Sequence, residues 1–325
     1  MNNNSKTQFN KVLVIGLGQL GLPVAKYVKE KGFDAYGYDL SQEAIERAER
    51  IAAIKKATNF SDFDVYIICV STHNPDDIYS PKIDGLLSIV GTISREAKDG
   101  ALVSIESTIP WGTSKRVFEM LNHRVHVAHA PHRWYSLEQE EHGVDQLRVV
   151  GGVCDCCLKA ALEFYSDRNT DTNTTTKTST AIINASTSEL SNDGNNNNNN
   201  KSLDVPMHPV SKIEIAETTK IVENAHRYLQ IAFAEDLYLY CQANNISFPE
   251  LRDALNTKWN VDVLEPREGI GGHCLPKDTR MFLQSSARRK SKILAAAMEV
   301  DEDYKKYRAR KESHLECPLV EPNSK

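Results

Sequence analysis

The chain has 325 residues and a formal net charge of −5, with 39 Lys and Arg against 44 Asp and Glu. That length predicts roughly two domains, and the mild acidity argues against nucleic acid or an anionic membrane as the main partner. Seven cysteines, an odd number, and an N-terminus without an apolar leader argue against a secreted disulfide framework. Because no stretch reaches the roughly 18 uncharged apolar residues of a membrane helix, we expect a cytoplasmic protein without a membrane partner.

The N-terminal segment has the pattern of a strand, a glycine turn and a helix. The run from Lys11 to Ile15 is short, apolar and β-branched, which is typical of a buried parallel strand. It leads directly into a G-x-G-x-x-G motif, formed by Gly16, Leu17, Gly18, Gln19, Leu20 and Gly21. In this setting the first glycine makes the turn, the second admits a pyrophosphate and the third lets the helix pack on the strand. The motif therefore predicts a dinucleotide site.

Asp39 is the predicted partner of the cofactor's adenosine ribose. It ends a second strand pattern, 33–38, and lies 18 residues after Gly21, close to the roughly 20 residues expected for such a carboxylate. Its charge would repel a 2′-phosphate and no arginine follows at once, so NAD is favoured over NADP. Alternatively, Asp39 simply caps the next helix.

Strand and helix patterns continue to alternate up to residue 166. Further strands are predicted at 65–70, 102–105, 125–128 and 148–152, and a helix at 86–97. Residues 8–166 are therefore predicted to form an α/β domain with a Rossmann-like, doubly wound parallel sheet. Ligands collect at the carboxyl ends of the strands in such sheets, which makes Val70, Ser71 and Thr72 predicted cofactor contacts and places Thr108 at the same edge.

Three closely spaced cysteines, Cys154, Cys156 and Cys157, invite a metal interpretation. Their spacing fits no standard zinc motif and no partner pair is evident, so we favour ordinary thiols and predict no metal site.

The composition changes abruptly at residue 167. Residues 167–203 are rich in Asn, Thr and Ser and cannot bury enough apolar area to offset the entropy of ordering them. We predict a disordered surface insertion there, followed by a helical second domain over 204–315 and a tail at 316–325.

Two features of the second domain are candidates for chemistry. Lys220 and Asn224 are four residues apart in a long helical pattern, hence on one face, although such a pair is usually a solvated stripe. The loop from Gly269 to Asp278 contains Gly271, Gly272 and then Cys274. Glycines let a backbone approach a ligand closely, and a thiol beside them could attack a bound electrophile; the alternative is a buried, inert cysteine. Further helices are predicted at 248–256 and 291–306.

The combination of motifs resembles the UDP-glucose/GDP-mannose dehydrogenase family. The matching pieces are 16–21, 106–113, 217–224 and 269–278, in the family's order, and the similarity covers residues 10 to about 310 apart from the insertion. The resemblance implies an NAD-dependent oxidation of a nucleotide-sugar alcohol to a uronate, in polysaccharide or glycan precursor synthesis. It also implies an all-α central domain whose long helix forms a homodimer interface.

Residue roles follow from the resemblance position by position. Cys274 would capture the aldehyde as a thiohemiacetal, which a second oxidation turns into a thioester for hydrolysis. Lys220 and Asn224 would hold the developing oxyanion, Asp278 would take part in proton transfer, and Thr108 would position a water. The glycines Gly269, Gly271 and Gly272 would contact the substrate.

Two departures leave alternatives open. His132 stands where the family usually has a glutamate that serves hydrolysis, and is expected to contact the substrate. The chain also ends 51 residues after Cys274, so it resembles a short form without the family's C-terminal nucleotide-binding domain. Either a separate chain supplies that surface or the substrate is held differently. The alternative functions are a two-electron β-hydroxyacid-type dehydrogenase and a non-catalytic subunit that binds NAD or a nucleotide-sugar.

Overall fold

The structure, a computed structural model, describes residues 9–74, 76–77, 80–133, 143–166, 201–285 and 290–315. The chain divides into two compact units. Unit 1 comprises Met1–Val70, Ile89–Glu106 and Ser114–Ile213, and unit 2 comprises Ser71–Ser88, Ser107–Thr113 and Glu214–Lys325. The predicted insertion lies outside the described residues except for 201–203, and the predicted tail lies outside them entirely.

Unit 1 is built on a sheet in which eight strands are described. They are β1 (Lys11–Ile15), β2 (Asp34–Tyr38), β3 (Lys55–Lys56), β4 (Val65–Ile68), β5 (Leu102–Ile105), β6 (His126–His129), β7 (Arg148–Gly152) and β8 (Met207–Val210). Their order is β3-β2-β1-β4-β5-β6-β7-β8. Neighbours run parallel except β6 and β7. The predicted Rossmann-like sheet is confirmed, with this antiparallel pair as the difference.

The helices that precede β8 alternate with the strands, as the sequence predicts for a doubly wound domain. They are α1 (Gly21–Glu30), α2 (Gln42–Ala52), α3 (Asp84–Glu96), α4 (Thr113–Met120) and α5 (Asp155–Tyr165). Val12 and Val14 of β1 are fully buried in the core of unit 1. Phe164 of α5 meets the rings of Phe9 and Phe33 edge-on, at 5.7 and 5.5 Å between centroids. Apolar side chains from the N-terminal and C-terminal ends of the predicted α/β domain therefore pack into the same hydrophobic core.

The sheet also takes in β8, from a stretch that the sequence assigned to the helical domain. Leu203, at the end of the predicted insertion, is 1% exposed, and its N–H donates to the Phe164 carbonyl at 2.8 Å. Val205 donates likewise to Tyr165 at 2.8 Å. The chain is therefore pinned to the end of α5 before it enters β8, where His208 lies in register with Val149.

Unit 2 is helical, as predicted. Its helices in the described residues are α6 (Ile213–Ala243), α7 (Phe248–Asn256), α8 (Cys274–Gln284) and α9 (Lys292–Leu315). The predicted long helix and the helix at 248–256 are confirmed, and α9 extends beyond the predicted 291–306. The loop interpretation of 274–278 is wrong, because Cys274 is the first residue of α8. No helix among the described residues is both long and apolar enough to span a membrane.

Candidate active site

The glycine turn of unit 1 leaves room for a ligand at one position and none at the others. A Cβ on Gly16, where φ is +89°, would lie 2.7 Å from the Cys69 carbonyl oxygen, and one on Gly21 would lie 1.6 Å from the Gly16 oxygen. A Cβ on Gly18 would meet nothing within 4 Å. Gly16 and Gly21 are therefore required by the fold, whereas Gly18 borders open space, as close approach of a pyrophosphate requires.

The Asp39 carboxylate is bound to the turn itself. It accepts hydrogen bonds from the Leu17 N–H at 2.7 Å and the Ser41 N–H at 2.8 Å. Downstream of Leu20, α1 begins without a side-chain cap, so the positive end of its dipole faces the turn. A carboxylate fixed beside a glycine turn and an uncapped helix start fits a dinucleotide, so Gly18, Gln19, Leu20 and Asp39 would hold NAD.

In unit 2, the Cys274 thiol lies at the N-terminus of α8. The residue is exposed, yet the protein around its sulfur raises the pKa of the thiol, and the Asp278 carboxylate raises it further. The ammonium groups of Lys277 and Lys220 act in the opposite direction. Since a helix N-terminus also favours a thiolate, Cys274 is an accessible thiol whose proton is controlled by a nearby acid and two cations.

A buried ion pair lies one turn along α8 from this thiol. Lys277 is 5% exposed and Asp278 is 2% exposed, and Lys277 Nζ lies 2.9 Å from Asp278 Oδ1. The other carboxylate oxygen of Asp278 accepts a hydrogen bond from the Asn224 amide of α6. The predicted residues Asn224 and Asp278 are thus in direct contact, and the bond ties α6 to α8.

Two loops complete the site within unit 2. The Thr72 hydroxyl donates to the Thr108 carbonyl at 2.7 Å and lies 3.4 Å from Lys277 Nζ. The Gly112 N–H donates to the Glu217 carboxylate of α6 at 2.7 Å. Polar contacts therefore connect α6 to α8 through Asn224 and Asp278, and α8 to the Thr72 loop through Lys277. The Thr72 loop in turn contacts the Thr108 loop, which returns to α6 through Gly112 and Glu217. We call Cys274, Lys220, Asn224, Lys277 and Asp278 the thiol site.

The three predicted substrate glycines differ from one another. Gly269 has φ +94°, and a Cβ there would lie 3.1 Å from the Lys305 side chain of α9. Glycine at this position is therefore explained by the backbone conformation and by packing against α9. Gly271 and Gly272, which has φ +69°, would each direct a Cβ into open space. Only these two glycines have the clearance that close ligand approach requires.

His132 belongs to a buried polar network of unit 1. It is 6% exposed, and its ring contacts the Glu106 carboxylate. Arg148 Nη1 lies 3.2 Å from the same carboxylate, and the Tyr165 hydroxyl donates to it. Burial alone would raise the pKa of Glu106, but His132 and Arg148 outweigh it and lower that pKa to about 2. Contact of His132 with a substrate stays a prediction, because its ring is bound inside unit 1.

Comparison with known proteins identifies the family. Residues 47–169 match the NAD binding domain of the UDP-glucose/GDP-mannose dehydrogenase family, and residues 214–303 match its central domain. Together the two matches cover well over half of the chain. The chain belongs to the UDP-glucose/GDP-mannose dehydrogenase family. It is thereby an NAD-dependent oxidoreductase that acts on CH–OH groups.

Similar proteins of this family come from archaea and bacteria. A UDP-N-acetyl-D-mannosamine dehydrogenase of Methanococcus maripaludis is 25% identical over 94% of this chain and 68% of its own length. One of Campylobacter jejuni is 26% identical over 91% of this chain and 72% of its own. The structure of a UDP-D-ManNAc dehydrogenase from Pyrococcus horikoshii superposes with a TM-score of 0.71, at 25% identity, over 92% of this chain and 70% of that one.

Two residues of this polar arrangement, Lys277 of the thiol site and Glu217 beside it, are not evident from the sequence as functional residues. Lys277 was passed over although it adjoins Asp278, and Glu217 was noted only as part of a motif. A charged side chain is seldom fully buried unless it is paired, but burial depends on tertiary packing that no local pattern displays. The usable signal was Pro276, which favours the first turn of a helix and thus places the Lys277 and Asp278 side chains on α8.

Proposed function

We propose that this protein oxidises the C6 alcohol of a UDP-sugar to the uronate, with Cys274 as a covalent nucleophile, to supply a polysaccharide or glycan precursor. The observation that carries the proposal is the thiol site. An exposed thiol, an ammonium group and an amide bound to a carboxylate occur together on two helices, and these groups can form a covalent adduct with an aldehyde and stabilise its oxyanion.

The overall reaction removes four electrons from the substrate and transfers two to each NAD⁺. The alcohol, one water and two NAD⁺ give the carboxylate, two NADH and three protons, which balances atoms and charge. NAD, when bound, supplies the hydride acceptor for each oxidation. The glycine turn and Asp39 would hold it, because Gly18 borders open space and the Asp39 carboxylate is fixed beside the turn.

The residues of the thiol site supply the attacking sulfur and stabilise the oxygen on the reacting carbon. Cys274 adds to the aldehyde carbon and forms the thiohemiacetal, so the proton on sulfur must leave. Its pKa is raised, so a base is needed, and Asp278 is the nearby carboxylate. Lys220 and the Asn224 amide stabilise the negative charge that develops on oxygen. After the second oxidation, water hydrolyses the thioester and restores the thiol.

Lys277 has a positioning role in this scheme. Its ammonium holds Asp278 at 2.9 Å and reaches toward Thr72, whose hydroxyl holds the Thr108 loop. The proposed water-positioning role of Thr108 therefore depends on a side chain of α8.

The proposed substrate class is a UDP-N-acetylhexosamine, with UDP-N-acetylmannosamine first, because the relatives named above carry that activity in their names. A panel of UDP- and GDP-sugars should be incubated with the protein and NAD while NADH and acid are counted. We expect two NADH for each uronate, with the highest kcat/KM for UDP-N-acetylmannosamine.

Other results would contradict the proposal in distinct ways. One NADH for each product would indicate a two-electron dehydrogenase. Binding without NADH formation for every sugar would indicate a non-catalytic subunit.

We also propose that α6 mediates a homodimer. Several large apolar side chains on this helix are exposed, including Ile215, Phe233 and Tyr240 at 42, 59 and 56%. Exposed apolar groups on one helix are common at interfaces. Light scattering should give twice the mass of the chain for the native protein and the single mass for Phe233→Asp. A monomeric native protein would refute the dimer without touching the proposed chemistry.

A further inference from the structure

Two thiols and one imidazole meet at the start of α5 in unit 1, outside the thiol site, and a third thiol, that of Cys154, contacts the two sulfurs. The ligand atoms of His126, Cys156 and Cys157 all lie within 4.8 Å of one another. The Cys154 sulfur lies 3.0 Å from that of Cys156 and 3.1 Å from that of Cys157. We call these four residues the cysteine–histidine cluster.

The fold brings this cluster together through a tight turn between β7 and α5. A Cβ on Gly152 would lie 2.2 Å from the Leu158 nitrogen, so only glycine lets the helix start so close to the strand. The next residue, Val153, donates its N–H to the Val127 carbonyl at 3.1 Å. That bond fixes the turn beside His126, the first residue of β6. The ligand groups are therefore positioned by backbone contacts rather than by a mobile loop.

The donor set is chemically suited to a metal ion. A neutral imidazole such as that of His126 is a common zinc ligand. The Val127 N–H donates to the Cys157 sulfur at 3.3 Å, a contact that supports a thiolate ligand from its outer side. Cys154 and Cys156 are exposed, which provides a route of entry.

We propose that the cysteine–histidine cluster binds one Zn²⁺ ion through three thiolates and the His126 imidazole. Four protein ligands make the site closed and structural rather than catalytic. The metal would tie the start of β6 to the start of α5. The cysteine spacing alone did not predict this site because the fourth ligand lies 28 residues before Cys154, on a different element of the fold.

Metal binding replaces sulfur-bound protons and moves the sulfurs slightly. With zinc–sulfur bonds of about 2.3 Å in a tetrahedron, neighbouring sulfurs lie about 3.8 Å apart, so the contacts of Cys154 with Cys156 and Cys157 must widen by less than 1 Å. The Cys154 sulfur must also approach the His126 ring, because it lies outside the group formed by His126, Cys156 and Cys157. The thiolate is the form that binds a metal, so Zn²⁺ must displace the proton of each thiol. Uptake by three thiols releases up to three protons, and the affinity should rise with pH.

The test is a Zn²⁺ titration of the fully reduced, full-length protein against a chromophoric chelator, repeated with Co²⁺ to record its spectrum. Cys156→Ser and His126→Asn remove one ligand each at positions that are not fully buried, and circular dichroism checks their folding. The matched controls are Cys274→Ser, an exposed thiol outside the cluster, and His226→Asn, an exposed imidazole on α6.

We expect one Zn²⁺ for each native chain, and a tetrahedral Co²⁺ spectrum with sulfur-to-metal charge transfer. Each cluster variant should lose more than the roughly 10–100-fold in affinity that outer-shell partners cost, while both controls bind as the native protein does. Zinc binding that the cluster variants leave unchanged would overturn the proposal. So would a reduced protein that takes up no metal but forms a disulfide between Cys154 and Cys157 on addition of glutathione disulfide.

Discussion

Replacing Lys277 by methionine removes a buried ammonium group and keeps most of the side chain's apolar volume. The Lys277 and Asp278 side chains are only 6% and 2% exposed, and their charged atoms lie 2.9 Å apart. The substitution leaves the Asp278 carboxylate buried, with the Asn224 amide as its described hydrogen-bond donor. An uncompensated buried charge is a large destabilising change.

The expected magnitude follows from that geometry. At an effective dielectric constant of about 20, unit charges 2.9 Å apart attract by about 6 kcal/mol. Removal of one partner from a buried pair typically costs about 3–5 kcal/mol. We expect Lys277→Met to lower the free energy of unfolding by an amount in that range. This is a large part of the 5–15 kcal/mol that stabilises a typical protein.

The assay is equilibrium unfolding in urea followed by circular dichroism, with a matched surface control. Lys306 Nζ lies 3.2 Å from Asp303 Oδ1, but both side chains are more than 60% exposed, so Lys306→Met should cost no more than about 1 kcal/mol. Asp278→Asn and the double variant complete a cycle that isolates the coupling. If Lys277→Met costs no more than Lys306→Met, the account of a buried ion pair that positions the site is wrong.

Three further predictions concern the glycine turn, unit 2 and the thiol. Gly16→Ala should lower the free energy of unfolding by about 1–3 kcal/mol because of its positive φ and the nearby carbonyl. Gly18→Ala should keep the native melting temperature but bind NAD at least about tenfold more weakly. If the two variants changed melting temperature and NAD affinity equally, the distinction between the two glycines would be wrong. Burial, reinforced by a neighbouring carboxylate, raises the pKa of Glu235 to about 8 from 4.5, so folding retains its proton and stability should fall by up to about 1.4 kcal/mol per pH unit between those values. Glu235→Gln should flatten that slope in urea titrations, and an unchanged slope would refute the assignment. Lys220→Met should raise the pKa of Cys274 further and slow its alkylation by iodoacetamide at pH 8, measured by peptide mass spectrometry; an unchanged rate would place the ammonium too far from the sulfur.

Local patterns predicted the elements whose structure is set locally. The strands 11–15, 102–105 and 148–152 were predicted with their observed bounds, because short β-branched runs bounded by turn residues indicate buried strands. The glycine turn was equally accessible, since a positive φ at Gly16 and the lack of room at Gly21 both demand the residue type that the motif displays.

Features that depend on contacts between residues far apart in the sequence could not be predicted from local patterns. The pairing of β7 with β8 joins residues on either side of 167–200, and no period or spacing encodes it. The burial of Lys277 and the position of His132 beside Glu106 likewise arise from packing between separate elements. The same applies to His126, whose approach to Cys156 and Cys157 depends on sheet order.

The most direct test of the proposed chemistry is the product formed by Cys274→Ser from a UDP-sugar and NAD, with Cys241→Ala, a buried thiol of α6, as the control. The native protein and the control should form uronate with two NADH for each acid. The Cys274→Ser variant should form no uronate while it binds NAD with unchanged affinity. Uronate formation by that variant at an undiminished rate would contradict covalent catalysis at this thiol.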